Sequence, residues 1–134
     1  MIEYKPLTSV SLEAIKALYR QHGWMAYLTD DEKLTRAFDA SLYTLGAYES
    51  DKLVGFIRCV GDGEHIVMVQ DLIVAPDYQR TGIGRELMKR ISEKYADVRM
   101  FMLVTDAQDE NANAFYQAIG MKKLEQNGCV SYMR

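Results

Sequence analysis

The segment Val69-Gln-Asp-Leu-Ile-Val-Ala-Pro-Asp-Tyr-Gln-Arg-Thr-Gly-Ile-Gly-Arg-Glu-Leu87 constrains this chain more than any other. An apolar run stops at Pro76 and a short basic turn with two glycines follows. Apolar residues then recur at Ile83, Leu87, Met88 and Ile91, a helical spacing. A buried strand that passes through a glycine turn into a helix is a building unit of α/β folds. It leaves the first-turn N–H groups without intrahelical partners, at the end where the macrodipole favours negative charge. Gly82 and Gly84 lack a Cβ, so the backbone can curl and approach a ligand closely. Arg80 and Arg85 flank the turn with guanidinium groups suited to phosphate oxygens. The segment reads as a pyrophosphate cradle.

Two better-known phosphate loops do not fit. A Walker A loop needs Gly-Lys-Ser/Thr, whereas Gly84 is followed by Arg85 and Glu86. A dinucleotide fingerprint needs a third glycine where Leu87 stands. What remains, Gln79-x-x-Gly82-x-Gly84 between strand and helix, resembles the acyl-CoA signature of the GNAT acetyltransferase superfamily. A second motif, Ala112-x-x-Phe115-Tyr116-x-x-x-Gly120-Met121, resembles that superfamily's motif B. The motif's usual asparagine falls at Asp109, and Met121 replaces its terminal phenylalanine. The resemblance covers essentially the whole chain.

The predicted elements agree. Ser9 or Ser11 caps a helix to about Gln21, with Leu12, Ile15, Leu18 and Tyr19 on one face. Thr29 or Asp30 caps a second helix, from Asp31 to about Ala40. Strands are expected over 1–5, 42–48, 52–59, 66–74, 100–104, 121–125 and 130–134, with further helices over 82–95 and 109–119. Asn127-Gly128 is a favoured hairpin turn between the last two strands. The order β-α-α-β-β-β-α-β-α-β-β implies a mixed, mostly antiparallel α/β sheet with helices on both faces, and the strands at 66–74 and 100–104 look central. At 134 residues the expectation is one domain, 1–134.

Composition removes several classes. A net charge of −3 speaks against a nucleic-acid partner. No stretch approaches the roughly 20 apolar residues a membrane span needs, and Met1 to Arg20 has no uninterrupted apolar h-region, so no secretory signal is expected. Cys59 and Cys129 stand apart, with no metal-ligand spacing, which fits two reduced thiols in a cytoplasmic, metal-free protein.

The resemblance implies an acetyl-CoA-dependent N-acetyltransferase in which the amine attacks the thioester directly. On it, Leu72, Ile73 and Val74 contact the pantetheine arm and thioester, and Gln79, Arg80, Thr81, Gly82, Ile83, Gly84 and Arg85 hold the pyrophosphate through their N–H groups. Tyr116 would be the proton donor to the CoA sulfur, where the alternative is a core tyrosine. Asp71, a carboxylate in an apolar strand, is either the base or amine binder, or a structural group paired with an arginine. The neighbouring Gln70 occupies a position where some family members carry a glutamate base, and glutamine cannot act as one. Trp24 and Tyr27 lie in the loop that walls the acceptor pocket in the family, where aromatic rings suit an aryl or alkyl amine. The expected partner is a small-molecule or peptide amine, with monomer and homodimer both open. Two rivals remain, a non-catalytic acyl-CoA-binding domain and an aminoacyl-tRNA-acetylating toxin, and the net charge disfavours the second.

Overall fold

The computed structural model describes residues 1–8 and 11–134. The chain divides into two compact units, Met1–Leu103 and Val104–Arg134.

The first unit is built on a five-stranded sheet. The strands β1 (Ile2–Pro6), β2 (Tyr43–Glu49), β3 (Lys52–Gly61), β4 (Ile66–Val74) and β5 (Met100–Leu103) lie in that order. The first four pair antiparallel, and β4 pairs parallel with β5. The helices are α1 (Leu12–Gln21), α2 (Asp31–Asp39) and α3 (Ile83–Lys94), with a 3₁₀ turn at Met25–Leu28. Ser11 is the residue that caps α1, its hydroxyl accepting from Glu13 N, and Asp30 caps α2 by accepting from Lys33 N. Ser9, the other expected cap for α1, lies outside the described residues.

Each face of the sheet is covered in its own way. Ile15, Leu18 and Tyr19 of α1 join Leu34, Phe56 and Ile73 in one buried cluster. Side chains of that size contribute roughly 1.5–3 kcal/mol each on full burial. Strand residues alternate between faces, so Ile57 and Cys59 turn away from this cluster. The buried stripe of α3, Ile83, Leu87, Met88 and Ile91, shields that other side.

A β-bulge interrupts the pairing of β3 with β4: Arg58 opposes Asp71 and Cys59 opposes Val69, leaving Gln70 as the extra residue. The strand's buried residues before the bulge, Val67 and Val69, share a face with Cys59. After it, Asp71 and Ile73 share the α1 face with Arg58 and Phe56. Adjacent Gln70 and Asp71 thereby escape the simple alternation expected of a regular strand.

The second unit carries α4 (Glu110–Ala118) and a 3₁₀ turn at Leu124–Asn127. Gly120 ends α4 in a left-handed conformation (φ 92°), with Gly120 N–H bonded to Gln117 O and Met121 N–H to Tyr116 O. The two strands expected over 121–125 and 130–134 do not form among the described residues. Gly128 does take the positive φ that an Asn-Gly hairpin would require, 81°. It uses it to stop a helical turn, donating to Glu125 O and Leu124 O, and the Gln126 side chain accepts from Lys123 N. The same glycine preference serves a C-cap as well as a hairpin. One consequence is that β5, expected to be central, is the last strand of the sheet.

Candidate active site

The residues expected to cradle a pyrophosphate make up the turn between β4 and α3. Pro76–Tyr78 makes a 3₁₀ turn, and Gln79 N–H closes it on Pro76 O. Arg80 then adopts a left-handed conformation (φ 64°), uncommon for a side chain with a Cβ. Thr81 Oγ1 donates to Tyr78 O and fastens the turn from inside. Gly82 is left-handed as well (φ 92°) and caps α3 without a side-chain hydrogen bond.

A Cβ built on Gly82 would meet no atom within 4 Å among the described residues, its chain neighbours aside, so the space beside Gly82 is open. The first turn, Ile83, Gly84 and Arg85, supplies N–H groups for which the helix has no acceptor. Arg80 and Arg85 are exposed, and neither joins an ion pair among the described residues. Gln79 departs from the expected role, because its N–H is already committed to Pro76 O. Its side chain is a strut instead, with Nε2 3.1 Å from Val74 O and 3.2 Å from His22 Nε2.

Upstream, β4 pairs with β5 only from Ile66 to Val69. Residues Gln70 to Val74 therefore have no strand partner on that side among the described residues. Leu72 and Val74 are half-buried there, whereas the Ile73 side chain is locked in the core and offers only its main chain.

Asp71 lies at the bulge with 1% exposure. Its Oδ2 accepts from Arg58 Nε and from Tyr19 Oη, both at 2.7 Å, and its Oδ1 accepts from Tyr27 Oη at 2.9 Å. Burial lowers the Arg58 pKa, but the Asp71 charge and hydrogen bond more than offset this and the net shift is upward. Burial first, and then Asp71, raise the Tyr19 hydroxyl far above its ordinary range. Enclosed by three donors, the carboxylate presents almost no surface to solvent. Of the two roles open to Asp71, the geometry matches the arginine-paired one, and its reach toward solvent runs through Tyr27. Arg58 and Tyr19 were missed as partners. A charge inside the apolar run Leu53–Val60 carried the same signal as Asp71 in the next strand.

Tyr27 is half-buried and stacks on Tyr19, with ring centroids 4.3 Å apart. Its hydroxyl also accepts from Gln70 Nε2 at 3.2 Å. Trp24 leans on Tyr19 and His22 yet stays 38% exposed, and Met25 beside it is 56% exposed. Tyr19, Trp24, Tyr27 and His22 thus pack as one aromatic group whose Trp24 edge is exposed.

In the second unit, Asp109 is the N-cap of α4, its carboxylate accepting from Ala112 N at 2.9 Å. Tyr116 packs edge-on to Phe115. Burial, and then the Asp109 charge, raise its hydroxyl pKa, which keeps it protonated at neutral pH.

Comparison with known proteins agrees with the fold and the two motifs. The acetyltransferase (GNAT) family matches residues 10–121, a span that includes both. A GNAT-family acetyltransferase structure from Streptococcus pneumoniae is 38% identical, covering 100% of this chain and 97% of that one, with a TM-score of 0.86. An N-acetyltransferase structure from Thermoplasma acidophilum in complex with coenzyme A shares the fold, at 20% identity over 91% of this chain and 90% of that one (TM-score 0.75). An uncharacterised N-acetyltransferase of Prochlorococcus marinus is 28% identical over 87% of this chain. The chain spans 66% of that relative's length, just under two thirds. No helix among the described residues is long and apolar enough to cross a membrane.

Proposed function

The chain belongs to the acetyltransferase (GNAT) family, and on that premise we propose that it transfers an acetyl group from acetyl-CoA to a primary amine in a ternary complex. The observation that carries this reading is the open volume at left-handed Gly82, before an uncapped helix N-terminus. Pyrophosphate oxygens fit such a site, since first-turn N–H groups and the macrodipole both favour anions. Exposed Arg80 and Arg85 add charge without having to leave a partner. The unpaired stretch of β4 at Leu72 and Val74 suits the amide-bearing pantetheine arm, which can hydrogen-bond there as an added strand would.

Acetyl-CoA supplies a thioester whose acyl carbon forms the new C–N bond as its C–S bond breaks. The leaving sulfur takes a proton, and Tyr116 is our candidate donor, held protonated by its surroundings. The amine attacks in its neutral form, and the one proton its nitrogen sheds on becoming an amide is relayed through solvent back to the tyrosine oxygen. Trp24 and Tyr27 form the wall against which the acceptor's carbon skeleton lies.

A second reading, a non-catalytic acyl-CoA-binding domain, draws on the pairing of Asp71 with Arg58 and on the neutral Gln70, which leave no free carboxylate at the bulge. Calorimetric titration with acetyl-CoA, followed by thiol release over a panel of primary amines, tests both. Binding with amine-dependent release is expected. Binding without release on any amine supports the second reading, and no acetyl-CoA binding refutes both. Tyr116→Phe should lower kcat roughly 100-fold, the scale of a lost general acid, with the acetyl-CoA Kd unchanged. An unaltered kcat returns Tyr116 to packing.

A further inference from the structure

The hydrogen bonds around Asp71 have a direction, and that direction reaches the surface. Arg58 can only donate and the Asp71 carboxylate can only accept. Tyr27 has one hydroxyl proton, and it is given to Asp71 Oδ1 at 2.9 Å. Its oxygen must therefore accept from Gln70, which fixes the amide with Nε2 inward at 3.2 Å and Oε1 outward. Gln70 is exposed and Tyr27 half-buried. The outward side of the pair thus offers two neutral acceptors, the remaining lone pair of Tyr27 Oη and Gln70 Oε1. Burial keeps the Tyr27 phenol protonated, so it offers a lone pair and not a negative charge. The exposed Trp24 and Met25 on the same loop add an apolar lip.

We propose that Tyr27 and Gln70 together receive the acceptor nitrogen, that the buried Arg58–Asp71 pair is the positioning element that orients them, and that the acceptor is a primary amine on an apolar arm, held through neutral oxygens and not through a carboxylate. A primary nitrogen carries enough N–H groups to satisfy both oxygens, and the arm lies against Trp24 and Met25. Tyr19 holds the assembly, since its ring stacks on Tyr27 and its hydroxyl shares Asp71 Oδ2 with Arg58. The inference rests on the acetyl-transfer reading for the reaction, but not for the binding event.

The test uses phenethylamine as the probe and the full chain labelled with 13C at the tyrosine Cζ. Titration without acetyl-CoA should shift one tyrosine resonance, the one absent in Tyr27→Phe. No shift at millimolar amine overturns the proposal, whatever the cradle does. With acetyl-CoA present, Tyr27→Phe and Asp71→Asn should each raise the phenethylamine KM about 10-fold, the scale of one lost hydrogen bond to a charged or polarised group. The acetyl-CoA Kd should stay within about twofold, a split that a general loss of structure would not produce. Wild-type KM should change little between low and high salt, whereas Gln70→Glu should make it salt-dependent. An unchanged KM in Tyr27→Phe, or a wild-type KM that rises steeply with salt, refutes the neutral-oxygen site. Loss of acetyl-CoA binding by the wild type would count against the cradle alone.

Discussion

Replacing Gly82 with alanine places one methyl group in the open volume before α3. The structure separates its two effects. The new Cβ meets no atom within 4 Å among the described residues, its chain neighbours aside, so no clash with them contributes to the folded state. What remains is backbone strain, because φ is 92° and a left-handed L-residue costs about 1–2 kcal/mol. Lower entropy of the unfolded chain returns about 0.4–1 kcal/mol of this. The net destabilisation is about 1 kcal/mol, a Tm shift of about 3–5 °C for a chain of this length. Acetyl-CoA should suffer more, because the methyl competes with phosphate for the space beside the first-turn N–H groups. Two charge-assisted hydrogen bonds at about 1.5 kcal/mol each correspond to a loss of roughly 100-fold in affinity. Gly120→Ala is the matched control: its φ is also 92° and its Cβ would also meet nothing within 4 Å. Calorimetry and thermal melts of both variants form the assay. Equal Tm losses with a Kd change confined to Gly82→Ala are expected. If Gly82→Ala binds acetyl-CoA as the wild type does, or if both variants lose affinity alike, the cradle argument is wrong.

Asp71→Asn leaves the Arg58 guanidinium buried without a counter-charge, at a cost of about 3–5 kcal/mol, so Tm should fall by roughly 10 °C or more. The double variant Arg58→Met/Asp71→Leu should be less damaged than either single one, and simple additivity of the two losses would refute the pairing argument. Asp62 accepts from the N–H groups of Ile66, Glu64 and His65, which hold its carboxyl down at about 2. A depressed folded pKa gives stability that is present above the ordinary carboxylate value and lost as pH falls through about 2. Asp62→Asn should therefore flatten the fall of Tm between about pH 4 and pH 2, and an identical slope in both proteins would count against this turn. Burial pushes the Cys59 thiol up to about 12, against an opposing pull from Arg58, while Cys129 is exposed. Ellman's reagent at pH 8 should modify one thiol quickly in the native chain, and two fast thiols would contradict the burial.

The elements through α4 were legible because local signals agreed with one another. Ser11 and Asp30 cap where capping chemistry expects them, and the strand Ile66–Val74 has the predicted bounds. The last segment departs from expectation because Asn127-Gly128 specifies a positive φ and not its use. The Gln126 side chain accepts from Lys123 N and closes a short helical turn there in place of a strand. At the candidate site, Gln79 illustrates the same limit. The motif marks the residue, but only the closed 3₁₀ turn shows its N–H is spent on Pro76 and its side chain serves as a strut.

The sequence by itself determined the family, the glycine turn between β4 and α3 and the helix that bears Tyr116, because each depends on residues adjacent in the chain. Backbone conformation, glycine placement and capping are local properties, and a motif can encode them. The state of Asp71 was decided elsewhere. Its partners Tyr19 and Tyr27 are 52 and 44 residues away and Arg58 is 13 residues away, and the bulge at Gln70 selects the face they share. A buried charge announces that it needs a partner but not which one, since pairing depends on register between strands and on how a helix packs across them. Tertiary structure thus set Asp71 among Arg58, Tyr19 and Tyr27.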